Sequence, residues 1–401
     1  MSKMITTAAA VLLILCCSPS KEDPQLALKI QKIETGLEKF NPGPPGPVQS
    51  SPKMRLAERM AFHKIPGVSV AVINGDRIEW AKGYGVLKAG SPAPVTADSI
   101  FQAASTTKML VAATVLHFVQ EGRLDLDRDV NDYLKSWKIP ENELTRGKKV
   151  TLRLLLTHRA GLPMTNFDYD DGPPPSLVQV LRAEPPARNK PAVVGFEPGS
   201  KWQYSNIGYV AIQLLLEDLT GRPLNDLMRE VVFEPLGMTS STLTYPLEAG
   251  LREKEALPHD VDGQTGEPGL HATAQAQGGL MTTPSDLARF TIELMKAFQG
   301  ESDLVLNRDT ARAMLHPELD LDPSLLGMPL REGLGVLLSP AGEPLWFGHP
   351  GDNYPGASSW VVGYPGLGTG IVIMTNGAKG NLLAMEVLPA FVKEYAAGNG
   401  R

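Results

Sequence analysis

Strand-forming runs stand at both ends of this 401-residue sequence and helix-forming runs fill its middle, a layout that limits the folds open to it. Near the start, GVSVAVINGDRIEWAKGYGV (67–86) alternates, is rich in β-branched residues and carries Asn74-Gly75 at its centre. That pattern predicts a β-hairpin with a tight turn. Near the end, EGLGVLLS, PLWFGH, SSWVVGYP and GTGIVIMTN read as further strands. From about 101 to 240 the pattern is mainly helical, broken by the proline-rich loops DDGPPPS and AEPPARNKPA. Helices are also expected at 24–40, where apolar residues recur at helical spacing, and at 56–63, 285–296 and 382–395.

The economical arrangement is an α+β fold. One antiparallel sheet is built from both chain ends and flanked by helices, with a mainly helical domain inserted. The expected division is a signal segment at 1–17, then a tether, N-terminal helix and proline-rich loop at 18–52. Residues 53–100 with 280–401 would form the sheet domain, and 101–279 the helical one. A site would lie in the groove between the two.

Composition narrows the chemistry. The chain is 42% hydrophobic and 20% charged with a net charge of −6, so it offers no basic face to a nucleic acid. Both cysteines, Cys16 and Cys17, lie at the start, which leaves no disulfide or thiolate metal site downstream. The seven histidines are scattered, with no His-x-His or His-Glu-x-x-His pair for a metal. A mechanism without metal or cofactor is expected. The first 17 residues, a basic start followed by a short apolar run ending in Cys-Cys, read as a secretory signal. They look like a bacterial lipoprotein signal with Cys17 as the lipidated residue; an ordinary cleaved signal is the alternative. Export to the periplasm or outer surface, with the lipid anchor as the membrane contact, is expected on either side of that choice except for the anchor itself.

Three stretches look chemical. In FQAASTTKML, Ser105 and Lys108 stand three apart at the start of a helix that runs to a C-capping Gly122. That spacing puts the hydroxyl and the amine on one face, where a partly desolvated amine serves as base to a serine nucleophile. The same residues also fit a helix-capping serine beside a solvated lysine. Two other Ser-x-x-Lys matches, at Ser18 and Ser50, lie in linker-like sequence without a helix. In KWQYSNIGY, Tyr204 and Asn206 are two apart and project the same way from an extended backbone. A phenol there can act as general base and proton shuttle and an amide can hold substrate, or the pair is a core tyrosine and a turn asparagine. In FGHPGDN, His349 ends a strand-like run and could give a hydrogen bond or positive charge to a substrate oxygen, with Gly351 leaving room at the strand edge. Taken alone, a histidine beside a turn is usually structural.

In that order and at those spacings, STTK, YSN and HPG resemble the three signature motifs of the serine β-lactamase and penicillin-binding-protein superfamily, in its class C-like branch. Flanking stretches are similar too, among them IPGVSVAVINGDRIEWAKGYGV, VTLRLLLTHRAGLP and GGLMTTPSDLARF, so the likeness covers roughly residues 53 to 395. The resemblance implies Ser105 as acylated nucleophile, Lys108 as its proton acceptor and Tyr204 as proton shuttle. It implies Asn206, His349 and Gly351 around the substrate, and the backbone N–H groups of Ser105 and Asp352 as the oxyanion hole.

Two departures stand out. Where class C β-lactamases usually carry Lys-Thr-Gly this chain has His-Pro-Gly, which resembles D-aminopeptidases, carboxypeptidases and esterases and implies weak or no β-lactam hydrolysis. In THRAGLP, Arg159 and Ala160 replace a more usual Thr-Ser. The reading that follows is a serine hydrolase cleaving an ester, amide or D-amino-acid peptide bond. Its alternatives are a penicillin-binding sensor that acylates without turnover and a non-catalytic binding lipoprotein.

Overall fold

A computed structural model describes residues 23–39, 52–170, 172–268 and 273–397. The expected signal and Cys17 lie outside the described residues, as does most of the loop at 41–52. Ten strands occur in chain order: β1 Gly67–Ile73, β2 Ile78–Gly85, β3 Phe101–Gln102, β4 Met281–Thr282, β5 Leu319–Leu321, β6 Leu330–Glu332, β7 Leu337–Leu338, β8 Phe347–Asn353, β9 Ala357–Tyr364 and β10 Thr369–Thr375. Eight of them form one antiparallel sheet in the order β2-β1-β10-β9-β8-β7-β6-β5, so β1 from the start of the chain pairs with β10 from its end.

The β1–β2 turn is tight, as the pattern predicts, but sits one residue further on. Its central pair is Gly75 and Asp76, both at positive φ, closed by Asn74 N–H donating to the Arg77 carbonyl at 2.9 Å. A register shift at Val72/Ile73 absorbs the extra residue.

Every residue of β1 is buried, so both faces of the sheet are covered. Val68, Val70 and Val72 face the first layer, made by the helices Pro24–Thr35, Leu56–His63 and Gly380–Phe391 through Ile33, Met60, Leu383 and Phe391. Ala71 and Ile73 face the opposite layer, where the helix Pro284–Gln299 contributes Leu287, Phe290 and Leu294. Within the first layer, Arg59 grips Glu386 with two hydrogen bonds of 2.7 and 2.8 Å and ties two sequence-distant helices together.

The middle of the chain holds the helices Thr107–Gln120 and Asn206–Thr220, several shorter ones and long irregular connections. Both long helices are buried almost all round, and they share one core with the inner sheet face. The chain enters this region at β3 and leaves it at β4, and these two strands pair with each other.

Candidate active site

Ser105 does not start an α-helix directly. It sits in a 3-10 turn, Ala104–Thr106, from which the helix Thr107–Gln120 follows. Ala104 has φ +47, a left-handed conformation that costs a non-glycine residue about 1 kcal/mol or more. The surroundings hold it there: Thr107 Oγ1 donates to the Ala104 carbonyl at 2.6 Å, and Thr106 Oγ1 lies 2.6 Å from Ser359 Oγ on β9. Ser359 in turn donates to the Ala103 carbonyl at 2.6 Å. The turn that carries Ser105 is thereby pinned to the sheet.

Lys108 Nζ lies 3.2 Å from Ser105 Oγ and donates to the Gln277 carbonyl at 2.5 Å. It is fully buried, and that burial drives its pKa well below the ordinary lysine value. A neutral amine keeps one lone pair, which is free to accept the Ser105 proton. The solvated-lysine alternative is therefore out. Gln277 itself is held in place through Gln213, whose side chain bonds Thr273, Gln275 and Ala276 from the helix Asn206–Thr220.

Ser205 is the N-cap of that second helix: its Oγ accepts from Gly208 N–H at 3.1 Å. Tyr204 just before the cap and Asn206 just after it line one cleft with Ser105. Lys108 Nζ lies 4.9 Å from the Tyr204 ring centroid. Burial pushes the Tyr204 phenol well above its usual range, with its bond to Ser105 pulling the other way, so the resting phenol is protonated. This differs from a tyrosinate base: with Lys108 neutral, no nearby cation favours the phenolate.

His349, Pro350, Gly351 and Asp352 line the same cleft from β8, and its volume is about 440 Å³. His349 is pushed down to about 3, chiefly by burial, so it does not supply a positive charge. Its Nδ1 faces the Pro350 carbonyl at 2.5 Å and must carry the hydrogen, which leaves Nε2 as an acceptor. Gly351 lines the cleft and also lies against the turn that carries Ser105. A Cβ there would meet the Ala103 carbonyl oxygen at 2.3 Å and Ser359 Oγ at 2.4 Å, so glycine lets β8 abut that turn. Asp352 pairs with Ser358 across the ladder, and its carboxylate accepts from Ser358 Oγ at 3.2 Å.

Several residues of this cleft went unnoticed as chemical. His158, at φ +55, sits 4.3 Å ring to ring from Tyr204 and accepts from Ser205 N–H at 3.1 Å. Burial holds it neutral. It fixes the Tyr-Ser-Asn segment, and its neighbour Arg159 donates to the Gly199 carbonyl at 2.7 Å, which gives the unusual THRAGLP stretch a structural account. Trp202, Glu332 and Asn381 complete the wall. For Glu332 the available signal was an acid at the head of a strand-like, apolar run. Among the described residues no group of three or more His, Cys, Asp or Glu side chains is placed to hold a metal ion.

These features define an α+β protein with Ser105 in a turn against the sheet and Lys108 in the first turn of the buried helix that follows. The chain belongs to the beta-lactamase family, whose model matches residues 54–389. It is 31% identical over 349 residues to penicillin-binding protein 4 of Amycolatopsis lactamdurans, covering 83% of this chain and 87% of that one. It is 27% identical over 216 residues to a putative D-alanyl-D-alanine carboxypeptidase of Escherichia coli O157:H7, covering 51% of this chain and 49% of the other. Among solved structures, the octameric penicillin-binding protein homologue from Pyrococcus abyssi superposes with a TM-score of 0.71 at 23% identity, over 84% of this chain and 76% of that one. The D-amino acid amidase of Ochrobactrum anthropi superposes with a TM-score of 0.65 at 22% identity, over 92% and 99% of the two chains. At such identities the superpositions speak for the fold.

Proposed function

We propose that this chain is a serine hydrolase that forms an acyl-enzyme on Ser105 and cleaves an ester, an amide or a D-amino-acid peptide bond. The observation that carries the reading is the Ser105–Lys108 pair: 3.2 Å apart, with the amine fully buried and its base form favoured. As Ser105 Oγ bonds to the substrate carbonyl carbon, its proton passes to Lys108 Nζ. The bond to the leaving group then breaks and that group takes a proton, relayed from Lys108 through the Tyr204 phenol. Water next attacks the ester, giving its proton back along the same relay, and Ser105 regains its hydroxyl. The backbone N–H groups of Ser105 and Asp352 are the proposed oxyanion donors.

Relatives named as a putative carboxypeptidase and a penicillin-binding protein support a substrate of that range. The neutral, acceptor-bearing His349, in a motif lacking lysine, supports weak or no β-lactamase activity. Export and a lipid anchor on Cys17 remain part of the proposal on the strength of residues 1–17; no helix among the described residues is long and apolar enough to cross a membrane.

Turnover of p-nitrophenyl acetate tests the reading. Steady release well beyond one equivalent, abolished in Ser105→Ala, is expected. A burst of one equivalent that stops would move the protein to the sensor reading, and no release at all to the binding-protein reading.

A further inference from the structure

The cleft holds an acid that acyl transfer does not use. Glu332, the last residue of β6, is 2% exposed and lines the same cavity as Ser105. Its Oε2 is buried without a hydrogen-bond partner, and the Trp202 indole N–H beside the carboxyl only partly offsets its burial. Among the described residues no basic side chain forms an ion pair with it. Leu330 and Leu337, its strand neighbours, are the residues a fold would choose for such a site. A bare buried carboxyl costs the fold several kcal/mol when charged, so its presence calls for a partner that arrives from outside. The wall beside it is aromatic, with the Trp202 and Tyr204 ring centroids 6.3 Å apart and both within 6.0 Å of His158. A carboxyl amid ring faces is the environment that takes up an organic cation.

We infer that Glu332 is the specificity residue of the cleft and receives a primary ammonium group carried on the acyl portion of the substrate. This rests on the Ser105 acyl-transfer reading and names a substrate class for it. Burial keeps the Glu332 carboxyl well above the ordinary carboxylate range, so it is neutral in the empty cleft. As the ammonium enters, the carboxyl gives its proton to solvent and the ion pair forms.

The test is the rate of covalent labelling by a ladder of fluorophosphonates. Each carries an ω-ammonium alkyl chain of two to six carbons and is paired with the reagent in which methyl replaces the ammonium. Reading the ratio within each protein cancels any general change in Ser105 reactivity. In the wild type the ammonium reagent is expected to react at least about tenfold faster at one or more lengths, the scale of a charge-assisted hydrogen bond. In Glu332→Gln the ratio should fall to about one to two. A wild-type ratio near one at every length overturns the inference without any variant, so a misfolded variant does not protect it; so does a preference that survives Glu332→Gln. Labelling by the methyl reagents with no ammonium preference refutes Glu332 alone, whereas no labelling by either series refutes the nucleophile and this inference together.

Discussion

Gly351→Ala tests the claim that β8 and the nucleophile turn are fitted to each other. The added methyl would stand 2.3 Å from the Ala103 carbonyl oxygen and 2.4 Å from Ser359 Oγ, with Ala104 Cβ at 3.1 Å. Real Cβ contacts essentially never fall under 3.0 Å, so the backbone oxygen must retreat by at least 3.0 − 2.3 = 0.7 Å. Ala103 is two residues from Ser105, and the retreat works directly against the Ser359 bond that pins the turn. A displacement approaching 1 Å at a reacting group costs on the order of 10²-fold in rate. Overpacking of this kind costs about 1–3 kcal/mol in stability. The assay is the second-order labelling rate with a simple alkyl fluorophosphonate, read beside a thermal melt. Gly250→Ala is the control, since a Cβ there meets nothing within 4 Å. Gly351→Ala labelling within about twofold of wild type would refute the fitted-strand argument.

Further outcomes follow from the buried charges. Lys108→Met should abolish labelling yet raise stability. The folded pKa of Lys108 is depressed, so below the unfolded value of about 10.4 the unfolded chain binds the extra proton, and wild-type stability falls by up to about 1.4 kcal/mol per pH unit as pH drops toward the folded pKa. Urea unfolding should therefore show the variant's advantage growing from pH 9 to pH 7; an advantage that stays constant would contradict a neutral buried amine. The labelling rate of the wild type should decline on the acid side, as Lys108 gains its proton, and stay level through neutral pH where Tyr204 remains protonated. A rate that rises on acidification would contradict the base assignment. Away from the site, Glu386→Ala strands the Arg59 guanidinium and should cost about 3–5 kcal/mol in denaturant melts while leaving labelling of the folded fraction intact.

Much of the fold was legible because it rests on local pattern. Alternation in β1 and β2, apolar spacing in the long helices and strands at both chain ends point to one sheet built from both ends, in which the structure pairs β1 with β10. Ser105, Lys108, Tyr204, Asn206 and the His-Pro-Gly stretch were legible as candidates because their side chains are of reactive or polar type in short motifs, and the structure gathers them on one cleft or its floor. What stayed hidden depends on long-range contact. The hydrogen-bond partner of Lys108 is a backbone carbonyl at Gln277, which leaves no side-chain signature. His158 matters only once a left-handed residue swings its ring under Tyr204. The reason for Gly351 lies 248 positions away at Ala103 (351 − 103), and the acceptor role of His349 is set by the Pro350 carbonyl. Glu332 reads as an ordinary strand residue until its burial and missing partner are known.

The most direct test of the central claim is the intact mass of the soluble portion, from about residue 24, after exposure to an alkyl fluorophosphonate, with Ser105→Ala run beside it. One adduct is expected on the wild type, mapped to Ser105, and none on the variant. An unmodified wild type, or equal adducts on both proteins, would contradict an activated nucleophile at Ser105.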